Sequence, residues 1–505
     1  MDPKSPASQL TRRQFIRQAA CAAVGTAAMT SAIRDLRYMS AAVAQSNVLS
    51  DYKALVCIFL AGGNDSNNLI IPTITSEYDN YASIRKPVLA IPQGSVLPIS
   101  PLNSDGHSYG LHPCFADPVT PATKGLQALF GQGKLAILFN TGTLAYPLTK
   151  AQYNSTPSKR PPQLFSHADQ VTQWQTSIPD QPPLTGWGGR CADLLNSVLP
   201  NPPVSLSVTL AGANTFEVGN QVSQYSVSTS GAISLQGVTG TRLQALTNVL
   251  GLSYPNLQAQ AYAGVANHAI TTGSLLNTAI GTTADPYWTT TFPGSGAAQV
   301  VTPTSGVKFN SALGPQLKMI ARLIEAGHRA AANGGFGMKR QIFFCSVGGF
   351  DLHTGQTDVP NGGSVLTGSH ANLFADLSQS MTAFQAAMDQ IGVAHSDSDF
   401  AKRVTAFTCS DFGRTFPTNG LGSDHGWGNH HLIMGGAVNG QRTYGTFPTL
   451  TVGGPDDTST GRWIPTTACD QYFATLASWF GVDSGNLTTV FPNIGRFATP
   501  NLGFI

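Results

Sequence analysis

Aspartate and histidine residues follow three separate apolar stretches of this 505-residue chain. Two of these stretches run into a glycine pair and then an aspartate, and the third is followed by an aspartate and then by a cluster of three histidines. Carboxylates and neutral imidazoles bind zinc, manganese or iron, and carboxylates also bind calcium. The pattern predicts one or two of these divalent ions, although each motif alone also fits a turn with an aspartate cap. The candidate ligands are Asp65, Asp351, His353, Asp411, His425 and His430.

Ser166 is the best candidate for a nucleophile. It precedes a helix-like segment, Val171–Thr176, so its hydroxyl could lie at a helix N-terminus, where backbone N–H groups stabilise an anion. The alternative is an N-cap role in which Asp169 completes a pair resembling a capping box. Thr141 and Thr143, after another apolar run, are weaker candidates.

Two arginines could bind an anionic substrate. Arg414 lies three residues after Asp411, and Arg190 follows a glycine-rich stretch that contains Trp187. Arg190 could instead belong to a loop that packs through this tryptophan. Positive charge beside two metal ions would suit a phosphoryl or sulfuryl group, whose attacking and leaving oxygens such ions clamp.

Short apolar runs alternate with amphipathic patterns along the chain. Four runs are typical of strands buried on both faces: Lys53–Ala61, Leu135–Asn140, Gln341–Val347 and Val404–Cys409. Apolar residues at steps of three and four predict helices around 317–328 and 374–388. This alternation predicts an α/β fold with a mostly parallel sheet, in which ligands bind at the carboxyl ends of the strands.

The charge distribution disfavours nucleic acid as a partner. Residues 1–44 contain six of the 28 basic residues but only two of the 26 acidic ones, so the remainder is slightly acidic. No basic patch therefore remains to bind a phosphate backbone. No later stretch has the 18 or more consecutive apolar residues of a membrane span.

Seven cysteines occur without any Cys-x-x-Cys pair, which argues against a zinc ribbon. Cys57, Cys345 and Cys409 lie in or at the end of apolar runs and are expected to be buried thiols. An oxidising compartment would permit a disulfide among the others.

The N-terminus resembles a twin-arginine export signal. Arg12-Arg13 precedes a weakly apolar run, and Ala42-Val43-Ala44 supplies small residues for cleavage. The expected partner is the twin-arginine export machinery, and the expected location is the periplasm or the extracellular space. We expect a signal peptide at 1–44, an α/β domain formed by 45–218 and 307–505, and an inserted Ser/Thr/Gly-rich cap at 219–306.

Five motifs occur in an order that resembles a known family. They are Gly-Gly-Asn-Asp at 62–65, Ser-His-Ala-Asp-Gln at 166–170, Gly-Gly-Phe-Asp-Leu-His at 348–353, Asp-Phe-Gly-Arg-Thr at 411–415 and Asp-His-Gly-Trp-Gly at 424–428. With the export signal, they resemble the bacterial secreted family known as a domain of unknown function, number fifteen-zero-one. That family in turn resembles the alkaline phosphatase and sulfatase superfamily.

The resemblance implies an alkaline-phosphatase-like three-layer sandwich with an inserted cap. Asp65 then corresponds to a first-strand metal ligand, Ser166 to the nucleophile, and Asp351 with His353 to a second metal site. Asp411 would be a further ligand, and His425 or His430 the late histidine. The chain departs from the superfamily in having Phe412 where a histidine is expected and an Asp351–His353 spacing of two rather than four. The sulfatase signature Cys-x-Pro-x-Arg is also absent.

Three functions fit these observations. The first is an exported, metal-dependent hydrolase of small-molecule or polymeric phosphate or sulfate esters. The second is a non-catalytic envelope or surface protein that binds a partner or a polysaccharide through its insert. The third is a metal-free hydrolase of another ester or glycan.

Overall fold

The computed structural model describes residues 49–505 except 117–124, 200–201, 233–234, 236 and 282–284. The expected signal peptide at 1–44 lies outside these residues. The strands are β1 Lys53–Leu60, β2 Ile70–Pro72, β3 Leu97–Ile99, β4 Tyr109–Leu111, β5 Leu135–Gly142, β6 Ser207–Thr209, β7 Tyr225–Ser228, β8 Gly231–Ala232, β9 Val300–Val301, β10 Lys308–Phe309, β11 Arg340–Val347, β12 Val404–Ser410, β13 Asn429–Gly435, β14 Arg442–Tyr444 and β15 Thr467–Ala468.

One large sheet dominates the fold, with the strand order β14-β5-β13-β12-β1-β11-β6-β7-β8 and β15 paired to β5. β1 lies at its centre and pairs in parallel with both β11 and β12. β13 is antiparallel to its neighbours β12 and β5. The sheet is therefore mostly parallel, as the alternation of strand and helix patterns predicts.

Burial on both faces explains why the central strands contain continuous apolar runs. Every residue of β5 and β12 is buried, as are all but the first residue of β1. All four strands predicted from apolar runs form, with ends within two residues of the predicted ones. These predictions are confirmed.

The described residues also form the helices α1 Thr75–Arg85, α2 Gly125–Gly131, α3 Lys150–Ser155, α4 His167–Thr176, α5 Trp187–Asn196, α6 Gly240–Leu250, α7 Leu257–Ile280, α8 Gly314–His328, α9 Ser369–Ala394, α10 Cys469–Phe480 and α11 Leu487–Val490. α8 and α9 pack against each other, and the apolar residues of their predicted stripes are buried. α4 packs on β12, and α10 on β1 and β5. Helices on a mostly parallel sheet confirm the α/β class.

The segment predicted to be an inserted cap contributes to the main sheet. β7, within 219–306, pairs in parallel with β6, and α6 and α7 follow it. The remaining small sheets are the β2-β4-β3 sheet and the β9-β10 pair.

The thiols of Cys57, Cys114, Cys191, Cys345, Cys409 and Cys469 are free and buried. The expectation of buried core thiols at Cys57, Cys345 and Cys409 is confirmed. Within the described ranges, no helix combines the length and apolar character needed to cross a membrane.

Candidate metal centre

The carboxyl ends of the three central strands meet at one edge of the sheet. Leu60, Val347 and Ser410 are level with one another in the two parallel ladders of β1. The loops that carry Asp351 and Asp411 therefore leave the sheet at the same edge, on either side of the loop after β1, as the rule for ligand sites in α/β sheets anticipates.

Three imidazoles and one carboxylate meet above this edge. The Nε2 of His425 lies 3.1 Å from the Nε2 of His167 and 2.9 Å from the Nε2 of His353. Asp351 faces the same group, with Oδ1 at 3.3 Å from the Nε2 of His425 and 3.2 Å from that of His353. Ligand atoms of His167, Asp351 and His425 all lie within 4.8 Å of one another. We call His167, Asp351, His353 and His425 the histidine cluster.

The other ring nitrogen of each histidine has its own partner. The Nδ1 of His167 lies 2.7 Å from Oδ2 of Asp411, and the Nδ1 of His353 lies 2.8 Å from Oδ1 of Asp424. The Nδ1 of His425 donates to the carbonyl oxygen of Phe165 at 2.8 Å. Because carbonyl and carboxylate oxygens accept hydrogen bonds, each Nδ1 donates in its contact, and in the neutral imidazole the Nε2 then has a lone pair available to the cluster.

This arrangement fits a divalent cation. The Nε2 of His425 lies about 3 Å from the Nε2 of His167 and of His353, and lone pairs this close repel one another unless a positive charge lies among them. Tetrahedral zinc ligands at about 2.0–2.1 Å from the ion lie roughly 3.3 Å from one another. Hydrogen bonds from Nδ1 to carboxylate or carbonyl groups are also the usual support of metal-binding histidines.

The ionisation of the cluster also suits metal binding. Burial lowers the pKa of His425, and the neighbouring His167 and Arg414 lower it further, which favours the neutral imidazole. Partial burial raises the pKa of Asp351, but the hydrogen bond and charge of Arg414 outweigh this effect, so its pKa is lowered. The Nη1 of Arg414 donates to Oδ1 of Asp351 at 2.7 Å.

Two backbone features position these loops. Gly62 has φ +117° and donates its N–H to Oδ1 of Asp411 at 3.0 Å. A Cβ at Gly62 would lie 2.3 Å from the backbone nitrogen of Asp351, so only glycine fits between the two loops. Phe165 has φ +71°, and its carbonyl oxygen is the partner of His425. Such a conformation in a non-glycine residue is typical of functional sites.

Asp65 makes its hydrogen bonds outside the histidine cluster, although it follows β1 at the same edge. Its buried carboxylate pairs with Arg85 and accepts hydrogen bonds from Gln356 at 2.6 Å and Asn67 at 3.1 Å. Burial raises the pKa of Asp65, but Arg85 outweighs it, so the pKa is lowered. The carboxylate thus neutralises a buried arginine and connects the loop after β1 to the end of α1 and to the segment that contains Gln356.

His430 and Arg190 have partners elsewhere in the core. The Nδ1 of His430 accepts the backbone N–H of Asn140 at 3.0 Å, and burial lowers the pKa of this histidine to about 3. Arg190 is buried and donates to the backbone carbonyl of Val490 at 2.7 Å and that of Thr185 at 2.7 Å. Arg414 also donates to the carbonyl oxygen of Gly62 at 3.3 Å.

Ser166 is the N-cap residue of α4, directly before His167. Its side chain does not cap a backbone N–H; instead, its hydroxyl donates to Oδ2 of Asp169 at 2.5 Å. The pair of Ser166 and Asp169 expected from the sequence thus forms between the two side chains.

Two residues of the centre were not predicted as functional. His167 lies inside the Ser-His-Ala-Asp-Gln motif, in which Ser166 was the residue predicted to be functional. Asp424 directly precedes His425. An aspartate adjacent to a candidate histidine ligand is a signal that could have indicated Asp424. The pairing of His167 with Asp411, 244 residues away, is not visible in the sequence.

The centre is open to solvent. The exposed fractions of the side chains are 34% for His167, 42% for His353 and 46% for Asp351. A molecule from solution can therefore reach the cluster directly.

Comparisons with known proteins agree with the family resemblance. Residues 319–488 match the model of a family described as Protein of unknown function (DUF1501), which supports the predicted resemblance to that family over this segment. No curated protein matches the chain. One solved structure, the crystal structure of Ps i-CgsB in complex with k-i-k-neocarrahexaose, is 9% identical and has a TM-score of 0.29, with 89% of this chain and 77% of that chain covered. This likeness is too weak to bear on fold or function.

Proposed function

We propose that this chain is an exported, metal-dependent hydrolase of phosphate or sulfate esters with an alkaline-phosphatase-like fold. The observation that carries the proposal is the histidine cluster, in which the Nε2 of His425 lies 3.1 Å from that of His167 and 2.9 Å from that of His353, with the Asp351 carboxylate beside it. Its nitrogen-rich donor set favours zinc, manganese or iron over calcium, which takes oxygen ligands.

A divalent ion bound there would act as a Lewis acid on an ester oxygen. The chain's own residues supply the rest of the site. Asp411, Asp424 and the carbonyl of Phe165 hold the three imidazoles in orientation. Arg414 fixes Asp351, which leaves little of its guanidinium free to bind substrate.

Ser166 remains the proposed nucleophile because it is adjacent to His167 and its hydroxyl is already paired with a carboxylate. In the first step, the Oγ–P or Oγ–S bond forms and the bond to the ester oxygen breaks. Asp169 accepts the hydroxyl proton at Oδ2 and returns a proton to the leaving alcohol. Water then hydrolyses the serine ester, which regenerates the hydroxyl and releases phosphate or sulfate.

The test is a hydrolysis assay on the full chain, purified without chelators and supplied in turn with zinc, manganese and iron. We expect release of nitrophenol from a nitrophenyl phosphate or sulfate ester, loss of activity with a chelator, and loss in His425→Ala. His268→Ala, which removes an exposed histidine of α7, is the matched control and should retain activity. Activity that survives both the chelator and His425→Ala would contradict the proposal.

A second candidate is a non-catalytic binding protein with a degenerate hydrolase fold. The pairing of Asp65 with Arg85 favours it, because this carboxylate is not free to hold a second metal ion. A chain that binds metal tightly but turns over none of the esters would support this candidate. Partner or polysaccharide binding should then be lost when residues 240–280, which contain α6 and α7, are replaced by a short linker that leaves β7 in the main sheet.

A further inference from the structure

The ring of Phe412 lies against two of the three imidazoles of the histidine cluster. Its centroid is 4.7 Å from that of His167 and 4.7 Å from that of His425, with the ring planes tilted by 42° and 35°. Phe412 is fully buried, whereas both histidines are partly exposed. The phenyl ring therefore forms an apolar wall on the protein side of these two imidazoles.

The phenyl ring itself has little room to move. Gly63, in the loop after β1, has φ +84°, and a Cβ there would lie 2.5 Å from Cε2 and 2.6 Å from Cδ2 of Phe412. The carbonyl oxygen of Phe412 accepts a hydrogen bond from Nδ2 of Asn429 at 3.0 Å. The next residue, Gly413, donates its N–H to the carbonyl oxygen of Trp427 at 3.0 Å. Close packing and these hydrogen bonds keep the ring in contact with the histidines.

Hydrogen bonding alone leaves each of the two imidazoles some freedom. The Nδ1 of His167 is held by Asp411, and that of His425 by the carbonyl of Phe165, but one hydrogen bond fixes only one atom of a ring. The torsion that tilts a histidine ring has broad minima, so the ring can turn about such a bond. A flat ring packed against the imidazole blocks that rotation. Phe412 therefore sets the tilt of both imidazoles, and with it the direction in which each Nε2 points.

His353, the third imidazole, lacks this support. Its ring centroid lies 4.8 Å from that of His425, and among the described residues it has no ring contact with Phe412. Removal of the phenyl ring should therefore disturb two of the three nitrogen ligands.

We propose that Phe412 is a positioning residue of the metal centre, whose ring directs the Nε2 atoms of His167 and His425 toward one ion. Replacing a neighbour that orients a metal ligand changes metal affinity by about 10- to 100-fold. The inference rests on the metal ion of the proposed function and adds the residue that shapes its coordination.

The test compares Phe412→Leu with Phe384→Leu, each in the full chain purified without chelators. Leucine fills much of the space but lacks the flat face, and Phe384, a buried residue in the middle of α9, is the matched control. Urea denaturation of the metal-free proteins measures what each substitution costs the fold. Competition with a fluorescent chelator measures zinc affinity, and the visible spectrum of the cobalt(II)-loaded protein reports the coordination geometry.

We expect both substitutions to destabilise the metal-free chain, since each shortens a buried side chain. Phe412→Leu alone should lower zinc affinity, by about 10- to 100-fold, and change the cobalt spectrum. Phe412→Met, which keeps a similar volume in a flexible side chain, should have the same effect and replaces the leucine variant if that one does not fold.

The outcomes separate this inference from the proposed hydrolase. Native zinc affinity and an unchanged cobalt spectrum in a folded Phe412 variant overturn the inference, even if the chain hydrolyses esters. Equal losses of affinity in Phe412→Leu and Phe384→Leu also overturn it, because they would follow from lost stability alone. A loss confined to the Phe412 variants upholds the inference, and if the native chain then hydrolyses no ester, only the hydrolase is contradicted. A native chain that binds neither zinc nor cobalt contradicts both proposals.

Discussion

At the scale of single residues, His167 is the clearest test of the metal centre. Its Nε2 faces His425 and Asp351, and its Nδ1 is held by Asp411. We expect His167→Ala to lose most bound zinc or manganese while it remains folded, because a third of the side chain is exposed. Elemental analysis of protein purified without chelators measures the loss, with His268→Ala as the control. Full metal occupancy in His167→Ala would remove this histidine from the centre.

Asp424 acts on the metal through His353, so its effect should be smaller. Its Oδ1 receives the hydrogen bonds of both His353 and Asn419. Asp424→Asn keeps the shape but removes the charge, and we expect metal affinity to fall by about 10- to 100-fold. A competition titration with a fluorescent chelator measures this change. Asp399→Asn, at an exposed ion pair with Lys402, should leave affinity unchanged; equal losses in both variants would indicate a general charge effect.

Part of this metal centre could be predicted from the sequence. Asp351, His353 and His425 were predicted as ligands, and the structure places them together. Asp65 satisfied the same criteria of residue type and position, but it lies opposite Arg85, and nothing in the spacing of these two residues reveals a buried ion pair. His430 was indistinguishable from His425 in the sequence because only its place in β13 buries it.

At the scale of elements, the loop after β1 depends on Gly62. Alanine there would have φ +117° and a Cβ 2.3 Å from the Asp351 nitrogen, so the loops of β1 and β11 must separate. We expect Gly62→Ala to cost about 1–3 kcal/mol of unfolding free energy and to weaken metal binding. Urea denaturation measures the cost. Gly348→Ala, in the neighbouring loop with no atom near its Cβ, is the matched control and should be nearly neutral.

The strands were the most predictable elements because a strand buried on both faces contains a predominantly apolar run. β1, β5, β11 and β12 have this property, and their ends were correct within two residues. β7 was not recognised, since Tyr225–Ser228 is short, polar and only partly buried. Its place at the side of the sheet depends on pairing with β6, which no local pattern encodes.

At the scale of the whole molecule, buried carboxyl groups make stability depend on pH. Glu217, between β6 and β7, is fully buried, and burial raises its pKa to about 8, although a hydrogen bond from Asn214 opposes the shift. In the unfolded chain this group has its ordinary pKa of 4.5. Between these values the folded state holds a proton that the unfolded state has lost. Stability therefore decreases as pH rises from about 5 to 8.

Glu217→Gln removes this contribution because an amide resembles the protonated carboxyl group and does not ionise. Burial also raises the pKa of Asp470, to about 7, so the variant should retain a weaker decrease of the same sign. We expect the unfolding free energy of the native chain to fall by at most about 1.4 kcal/mol per pH unit from this one group, and that of Glu217→Gln to fall less. Urea denaturation at pH 5, 6, 7 and 8 measures both slopes. Parallel curves for the two proteins would show that Glu217 does not hold its proton in the folded state.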